Sequence, residues 1–456
     1  MKQKIKRFDL RTIALLFMPF MIFFSFYPML NFGQSHGMHF EISLLEIYLV
    51  FFALVNIKSI WHSRHALAKN KAVWLILAFC IISSISLFWT SNFVKGLLIS
   101  GVTGLLFVCF LSLLTYKNLQ KLLPTLTKIL IMSACLVSIF ALFQMFAEVI
   151  GLPQNVSLLC DGCRANQFGF ARVTGFAIEP QFLGSLLLIP IFILLHRFIK
   201  NKKWCHQNLC LVLLLIAIFL TMSRGAIYAL AIGVIIFVII FRRQLKKVLL
   251  SLVLILGSFL LALIVQGLSA QLNPNIDDNF HAAISRSVHQ LSLGIIDLRP
   301  QDVTVPTDQT PSDAPAQDGY VEESTETRAL LSKLALEAWA KTPTNIIFGT
   351  GVGSTGFILH HYFPDQIRDT EITQNAYVEI LLEHGLIGLA IFGTLIFFLF
   401  RLSTKHKVLM PIFAAFLVQW FFFSGYPNAL HIYLFFFVCT ASLLYSIDSR
   451  RRPCYD

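Results

Sequence analysis

The sequence predicts an all-α polytopic membrane protein of about 12 transmembrane helices, with one large, partly helical external loop between the ninth and tenth. Three observations lead there. Of 456 residues, 56% are hydrophobic and 13% charged, with a mean hydropathy of +0.73, too few polar side chains to cover a water-soluble globule of this size. Apolar runs long enough for a bilayer core of about 30 Å recur along the chain. The basic residues fall in alternate connections between those runs.

The runs span 13–32, 42–57, 72–90, 94–114, 127–150, 181–199, 209–222, 225–241, 248–268, 376–400, 408–424 and 429–446. The connecting segments 1–11, 58–71, 116–128, 197–203, 242–247, 401–407 and 450–452 hold 26 of the 36 Lys and Arg, and all lie on one side of a twelve-helix count. The short connections on the other side hold only Lys95, Arg164, Arg172 and Arg224. The positive-inside rule therefore places both termini in the cytoplasm and the 269–375 loop outside. That loop carries 14 Asp and Glu against 6 Lys and Arg, so the net charge of +12 is a topology signal and nucleic acid is excluded as a partner. The expected organisation is 1–268 for helices one to nine, 269–375 for the loop, and 376–456 for the last three helices and a cytoplasmic tail.

The first four runs carry no chemistry of their own and read as scaffold; His36 and His39 fall in the first external connection as solvated side chains. Lys2, Lys4, Lys6 and Arg7 precede the first run without a small-residue cleavage site, which predicts a retained helix. Nine cysteines are scattered. Cys160 and Cys163 form CDGC in an external connection, either bridged or as free thiols, and with only Asp161 nearby they do not make a metal site.

The 151–180 connection brings Arg172 and Glu179 to the external mouth, with Pro180 suited to the first turn of a helix. Two readings stay open for this pair, an interfacial ion pair and a ligand contact. Thr221-Met222-Ser223-Arg224-Gly225 joins two runs by barely a turn, and the run before it is short for a bilayer, so Arg224 sits at or below the membrane surface and needs an anion, a wet cavity or a route to water. Residues 278–292 place Phe280, Ile284, Val288 and Leu291 on one helical face, and 299–325 reads as a flexible connector. A helix capped by Thr327 is expected to reach Ala340, with Leu330, Leu331, Leu334 and Trp339 as its apolar stripe. Arg328 in its first turn would oppose the helix dipole, which hints at another task.

Gly349-Thr350-Gly351-Val352-Gly353 lacks the Lys of a phosphate-binding loop and reads as a tight turn that lets backbones approach. The tenth helix begins near Thr373 and carries Gln374, Asn375, Glu379, Glu383 and His384 in its first half. Polar groups at that depth are costly. They read either as an interhelical hydrogen-bond network or as an acid or base lining a reaction cavity.

The stretch Arg328 to Leu389, the segment Arg172 with Gly175-Phe176 and Glu179-Pro180-Gln181-Phe182-Leu183-Gly184, and Ser223-Arg224-Gly225 resemble the O-antigen ligase/polymerase family of bacterial inner membranes. The resemblance implies a family C-type glycosyltransferase-like fold and, as substrate, glycans carried on undecaprenyl pyrophosphate. It implies no metal and no cofactor, and it admits a chain-length regulator protein and membrane lipid as partners. Arg172, Arg224 and Arg328 would then hold the pyrophosphates, since guanidinium binds phosphate oxygens bidentately and keeps its charge. A base for the attacking hydroxyl is open among Glu179, Glu379, Glu383, His360 and His361. Family ligases place a His immediately before the helix-ten Asn, where this chain has Gln374-Asn375. This departure points to a polymerase, with a ligase or O-oligosaccharyltransferase as the alternative and a lipid-linked glycan transporter further behind.

Overall fold

The structure is a computed structural model that describes residues 9–24, 29–35, 38–116, 119–160, 163–165, 170–177, 179–200, 206–273, 280–292, 295–296, 320–369, 371–404 and 406–423. In chain order the elements are α1 (Leu10–Met21), the antiparallel strands β1 (Met29–Ser35) and β2 (Met38–Ser43), α2 (Leu44–Leu67), α3 (Lys71–Ile85), α4 (Phe93–Leu114) and α5 (Leu119–Val149). There follow a single turn α6 (Gln154–Ser157), α7 (Pro180–Lys200), α8 (His206–Leu220), α9 (Arg224–Phe241) and α10 (Leu245–Leu272). The remainder is α11 (Phe280–Leu291), α12 (Tyr320–Trp339), α13 (Pro343–Phe348), α14 (Thr355–Tyr362), α15 (Ala376–Ser403) and α16 (Leu409–Gln419).

Among the described residues, 7 helical segments are long and apolar enough to cross a membrane, with Arg224–Leu272 taken as one stretch; Leu10–Phe24, His206–Leu220 and Leu409–Gln419 are shorter apolar helices. The architecture is that of a polytopic membrane protein. Its outward surface fits that solvent: along α10, Leu245, Leu249, Val253, Leu256, Leu260, Ile264, Leu268 and Leu272 are all exposed at helical spacing, a stripe that belongs against lipid. Short polar side chains start the helices. Ser43 and Glu46 form a capping box on α2, Asn70 caps α3 and Asn92 caps α4, each satisfying backbone N–H groups that have no partner within the helix.

The chain divides into two units. One comprises Met1–Ser133, Leu331–Ala414 and Trp420–Asp456; the other comprises Ala134–Leu330 with Ala415–Gln419. In the first, α2 packs on α1 and α4, and α15 packs on α3 and α13. The second half of α12 lies in this unit, where Leu331, Leu334, Ala335 and Ala338 make an apolar core with Leu359, Ile367 and Leu382. In the other unit α7 is the central post. Every residue from Phe182 to Phe192 is buried, with α8, α9 and α10 packed around it.

Several expectations are corrected. The first apolar run ends as a helix at Phe24, and its last residues, 29–32, belong to a β-hairpin strand. The helix carrying Arg328 starts at Tyr320, so 320–325 is helical rather than connector, and Arg328 sits in the third turn, where the N-terminal dipole no longer bears on it. α15 starts at Ala376 and is broken inside the expected continuous span, at Gly385 (φ 63, ψ −165). α11 forms within the expected 278–292, with its apolar stripe half-buried, as suits a helix on a membrane or under a loop, and Ala283, Ser285, Ser287, His289 and Gln290 buried. The final run 429–446, the basic residues 450–452, Lys2 to Arg7, His36 and the connector 299–319 lie outside the described residues.

Candidate functional site

In the Ala134–Leu330 unit the site begins with a single glutamine. Gln144 lies on α5 in an otherwise apolar stretch and is wholly buried. Its amide nitrogen donates to Ser157 O (2.8 Å), Thr174 Oγ1 (3.1 Å) and Gly175 O (3.1 Å), and its oxygen accepts from Thr174 N (3.0 Å) and Gly175 N (2.8 Å). One turn further along α5, buried Glu148 accepts from Arg164 Nε and Ala165 N, both at 3.1 Å. The loop after α5 is thus fastened at five residues by two side chains of the helix below it. Cys160 and Cys163 are bridged, and Arg172 N donates to Cys163 O at 2.9 Å, which ties the bridge to the backbone of Arg172.

The Arg172 guanidinium lies against the end of α8. Its Nε donates to Thr221 O (3.3 Å) and its NH2 to Met222 O (3.5 Å), carbonyls freed by the helix terminus and favoured by cations. Met222 adopts φ 47 and reverses the chain. Ser223 Oγ then accepts from Ala226 N, capping α9, and Arg224, its first residue, is buried. Arg172 thus bonds to carbonyls of the same 221–224 turn that ends at Arg224. Glu179 stands just before α7, hydrogen-bonded by Gln181 Nε2 at 2.9 Å. Its side chain keeps an open edge, yet the protein packed around it raises its carboxyl above the ordinary 4.5; the charges of Arg328 first and Arg172 second pull it down again. Arg172, Arg328 and Glu179 therefore share one neighbourhood, with Arg224 at the turn that holds Arg172.

The other unit gathers the acidic residues. A helix broken at Gly385 frees carbonyls that would otherwise bond up the ladder, and the glycine turn supplies them: Thr350 N donates to Leu382 O (2.8 Å) and Gly351 N to Glu383 O (3.0 Å). The approach requires glycine on both sides. At Gly349 (φ 77) a Cβ would lie 2.3 Å from the Glu383 carbonyl carbon, and at Gly385 a Cβ would lie 2.3 Å from Ile347 O. The turn is also anchored to α3 and the segment after it, by Val352 N to Ser86 Oγ (3.0 Å) and Thr90 Oγ1 to Val352 O (2.7 Å). The expected backbone-approach turn is what the structure contains.

Glu383 is buried and accepts from Thr355 Oγ1 at 2.7 Å and Thr355 N at 3.4 Å; the Gly353 N–H and the Lys95 ammonium also act on it. Glu379, one turn earlier, is buried as well. His384 lies with its ring 5.4 Å from that of Phe79, and both ring nitrogens are buried without a hydrogen-bond partner. Asn375 Oδ1 caps α15 through Tyr377 N (3.1 Å) and Val378 N (3.3 Å), preceded by Gln374 at φ 53. His360 Nδ1 bonds Ile367 O at 2.7 Å, and His361 is exposed with its ring against Tyr362. Among the described residues no group of three or more His, Cys, Asp or Glu forms a metal-binding set.

Gln144, Glu148, Thr355 and Lys95 escape a reading centred on the motifs. The signal for the first two was present: polar residues four apart, inside an apolar run, just beneath a loop.

Residues 209–393 match the family model described as O-antigen ligase. This supports an O-antigen ligase/polymerase-like family, whose members are glycosyltransferase-like enzymes. No curated protein matches the chain. The matched O-antigen ligase region takes in Arg224, Arg328, the glycine turn and Glu379 to Gly385, while Arg172 and Glu179 precede it.

Proposed function

We propose that the protein is a polysaccharide polymerase of the O-antigen type, transferring glycan from undecaprenyl pyrophosphate onto a lipid-linked repeat unit. It works at the periplasmic face of a bacterial inner membrane, with both termini cytoplasmic. The observation that carries this reading is the convergence of Arg172, Arg328 and Glu179, with Arg224 beside them. In the transfer, a hydroxyl oxygen of the acceptor sugar forms a bond to the anomeric carbon of the donor. The bond from that carbon to pyrophosphate breaks, and its electron pair leaves on the lipid pyrophosphate. Charge grows on that leaving group, and fixed guanidinium groups stabilise it more than they stabilise the ground state. The hydroxyl proton passes to a base. Glu179 sits among the cations with a carboxyl raised toward the working range, which suits that role. Membrane lipid and a chain-length regulator protein are the further partners of this reading, and it uses no metal or cofactor.

The second reading is a ligase that hands the same glycan to lipid A core or protein, favoured by the description of the matched family. Against it stands Gln374, which cannot act as a base where family ligases carry His. The test is Arg328→Ala in a host lacking its own copy, with protein level checked by blotting and glycans resolved on a gel. Loss of the long ladder with a single repeat still attached to core is the polymerase outcome. Loss of all attached glycan while lipid-linked chains accumulate means ligase, and an unchanged ladder removes Arg328 from the site.

A further inference from the structure

The contact between α10 and α11 holds buried polar side chains beside apolar ones such as Leu263 and Leu291. Gln266 on α10 is 1% exposed, and Ser287 and Gln290 on α11 are 0% and 3% exposed. Ser287 Oγ donates to Gln266 Oε1 at 2.9 Å. The Nε2 of Gln266 and the Oε1 of Gln290 remain buried with no hydrogen-bond partner. Gln290 lies one turn after Ser287 on the same stripe of α11, the stripe on which Ser287 meets Gln266. Buried polar groups are almost always paired, and two orphans in one contact call for a reason.

The two orphans are complementary in kind. One is a donor that needs an acceptor, and the other is an acceptor that needs a donor. A phosphate dianion answers the first and not the second. A hydroxyl answers both, and adjacent hydroxyls on one ring answer both at once.

The position of the contact is equally specific. Leu291, the residue after Gln290, accepts at its carbonyl from Tyr228 Oη at 2.6 Å, and Tyr228 lies one turn along α9 from Arg224, whose charge acts on it. The Leu291 side chain packs on the cluster of Phe170, Met222 and Leu263, and the Met222 carbonyl accepts from Arg172. The polar seam therefore ends at the turn that bears Arg224 and whose carbonyls accept from Arg172.

We propose that this seam is a binding site for a neutral, hydroxyl-rich ligand, a sugar ring of the glycan whose pyrophosphate the arginines hold, with α11 as a cover that parts from α10 to admit it. The proposal rests on the donor reading above and adds the residues that read the sugar. The atoms are closed off without ligand, so entry requires the two helices to separate, and the sugar hydroxyls then supply the missing hydrogen bonds.

The test uses the full chain in lipid nanodiscs with two probes, the lipid-linked repeat unit and undecaprenyl pyrophosphate bearing no sugar. Amide exchange across α11 of the unaltered protein slows at least about tenfold with the first probe and is unchanged by the second, the mark of a cover held by the sugar. Gln266→Leu and Gln290→Leu, made singly, each raise KM for the lipid-linked repeat unit about three- to tenfold at constant kcat, the size of one neutral hydrogen bond, and leave affinity for the sugarless lipid unaltered. Equal slowing by both probes, or unaltered KM with a raised melting temperature in both variants, overturns the site. Where a variant does not fold, the exchange measurement on the unaltered protein decides. Binding of the sugarless lipid with no effect of the sugar defeats this inference alone; binding of neither probe, with no polymer formed, defeats the donor reading and the inference together.

Discussion

The loop after α5 and the glycine turn before α14 meet the same demand by opposite means. Both fold irregular backbone into a buried place, where every N–H and C=O needs a partner. The loop after α5 borrows its partners from side chains: Gln144 alone serves Ser157, Thr174 and Gly175. The glycine turn borrows from a helix that has been broken to lend its carbonyls, at Leu382 and Glu383. The first solution concentrates its stability in two side chains, with most of the bonds on the Gln144 amide, which any substitution there removes. The second distributes it over backbone, which only residues that set the backbone can disturb.

The largest expected effect falls on the second solution. Gly385→Val forces a β-branched residue into φ 63 and drives its Cβ to 2.3 Å from Ile347 O, so the variant yields no folded protein by size-exclusion of detergent extracts. A loss above about 4 kcal/mol is expected from strain and clash combined. A folded Gly385→Val protein would mean that the turn and the helix ends are not locked together.

A smaller effect, confined to the first solution, is expected of Gln144→Leu. It leaves buried amides of Thr174 and Gly175 unpaired, at about 2–5 kcal/mol in melting free energy, and displaces Arg172 enough to abolish the glycan ladder. Gln144→Glu keeps the acceptor and loses the donor, so it falls between the two. If Gln144→Leu melts normally, the claim that one amide organises the loop is wrong.

The smallest effect is a change of slope. Glu179 closes the same loop, and a base works only when ionised, so transfer rises with pH as the carboxyl deprotonates. Because burial places that carboxyl above 4.5, the midpoint of the acid limb should also lie above 4.5, and Glu179→Gln should flatten that limb as well as lower the rate. An acid limb that persists in Glu179→Gln assigns the base to another residue.

The sequence made most of the helices legible because lipid-facing and buried side chains are both apolar, and long runs of them have few alternatives. The arginines were legible for the inverse reason: Arg172 and Arg224 stand out in surroundings where a charge is expensive. The break at Gly385 was not, since its cause is a carbonyl of Ile347 some forty residues earlier in the chain, and a glycine inside an apolar run reads the same whether its φ is negative or positive. The start of α12 was misjudged because Thr327 has the chemistry of a cap, whereas the chain before it continues helical to Tyr320. For α11, the apolar spacing marked the helix, while the hydrogen bond that Gln266 accepts from Ser287 is a contact that no periodicity records.

The post at the centre of the Arg172 unit has a last consequence. A span bathed in lipid on one side has a face on which most apolar exchanges are neutral, as along the exposed stripe of α10. α7 has no such face between Phe182 and Phe192, about three turns in which every direction meets packed atoms. In a library of single substitutions α10 would appear as a dotted line, tolerant at each third or fourth position, and α7 as an unbroken bar. Variation between natural versions of this chain would then collect on the lipid side of α10 and leave the helix that begins beside Glu179 as the slowest part to change.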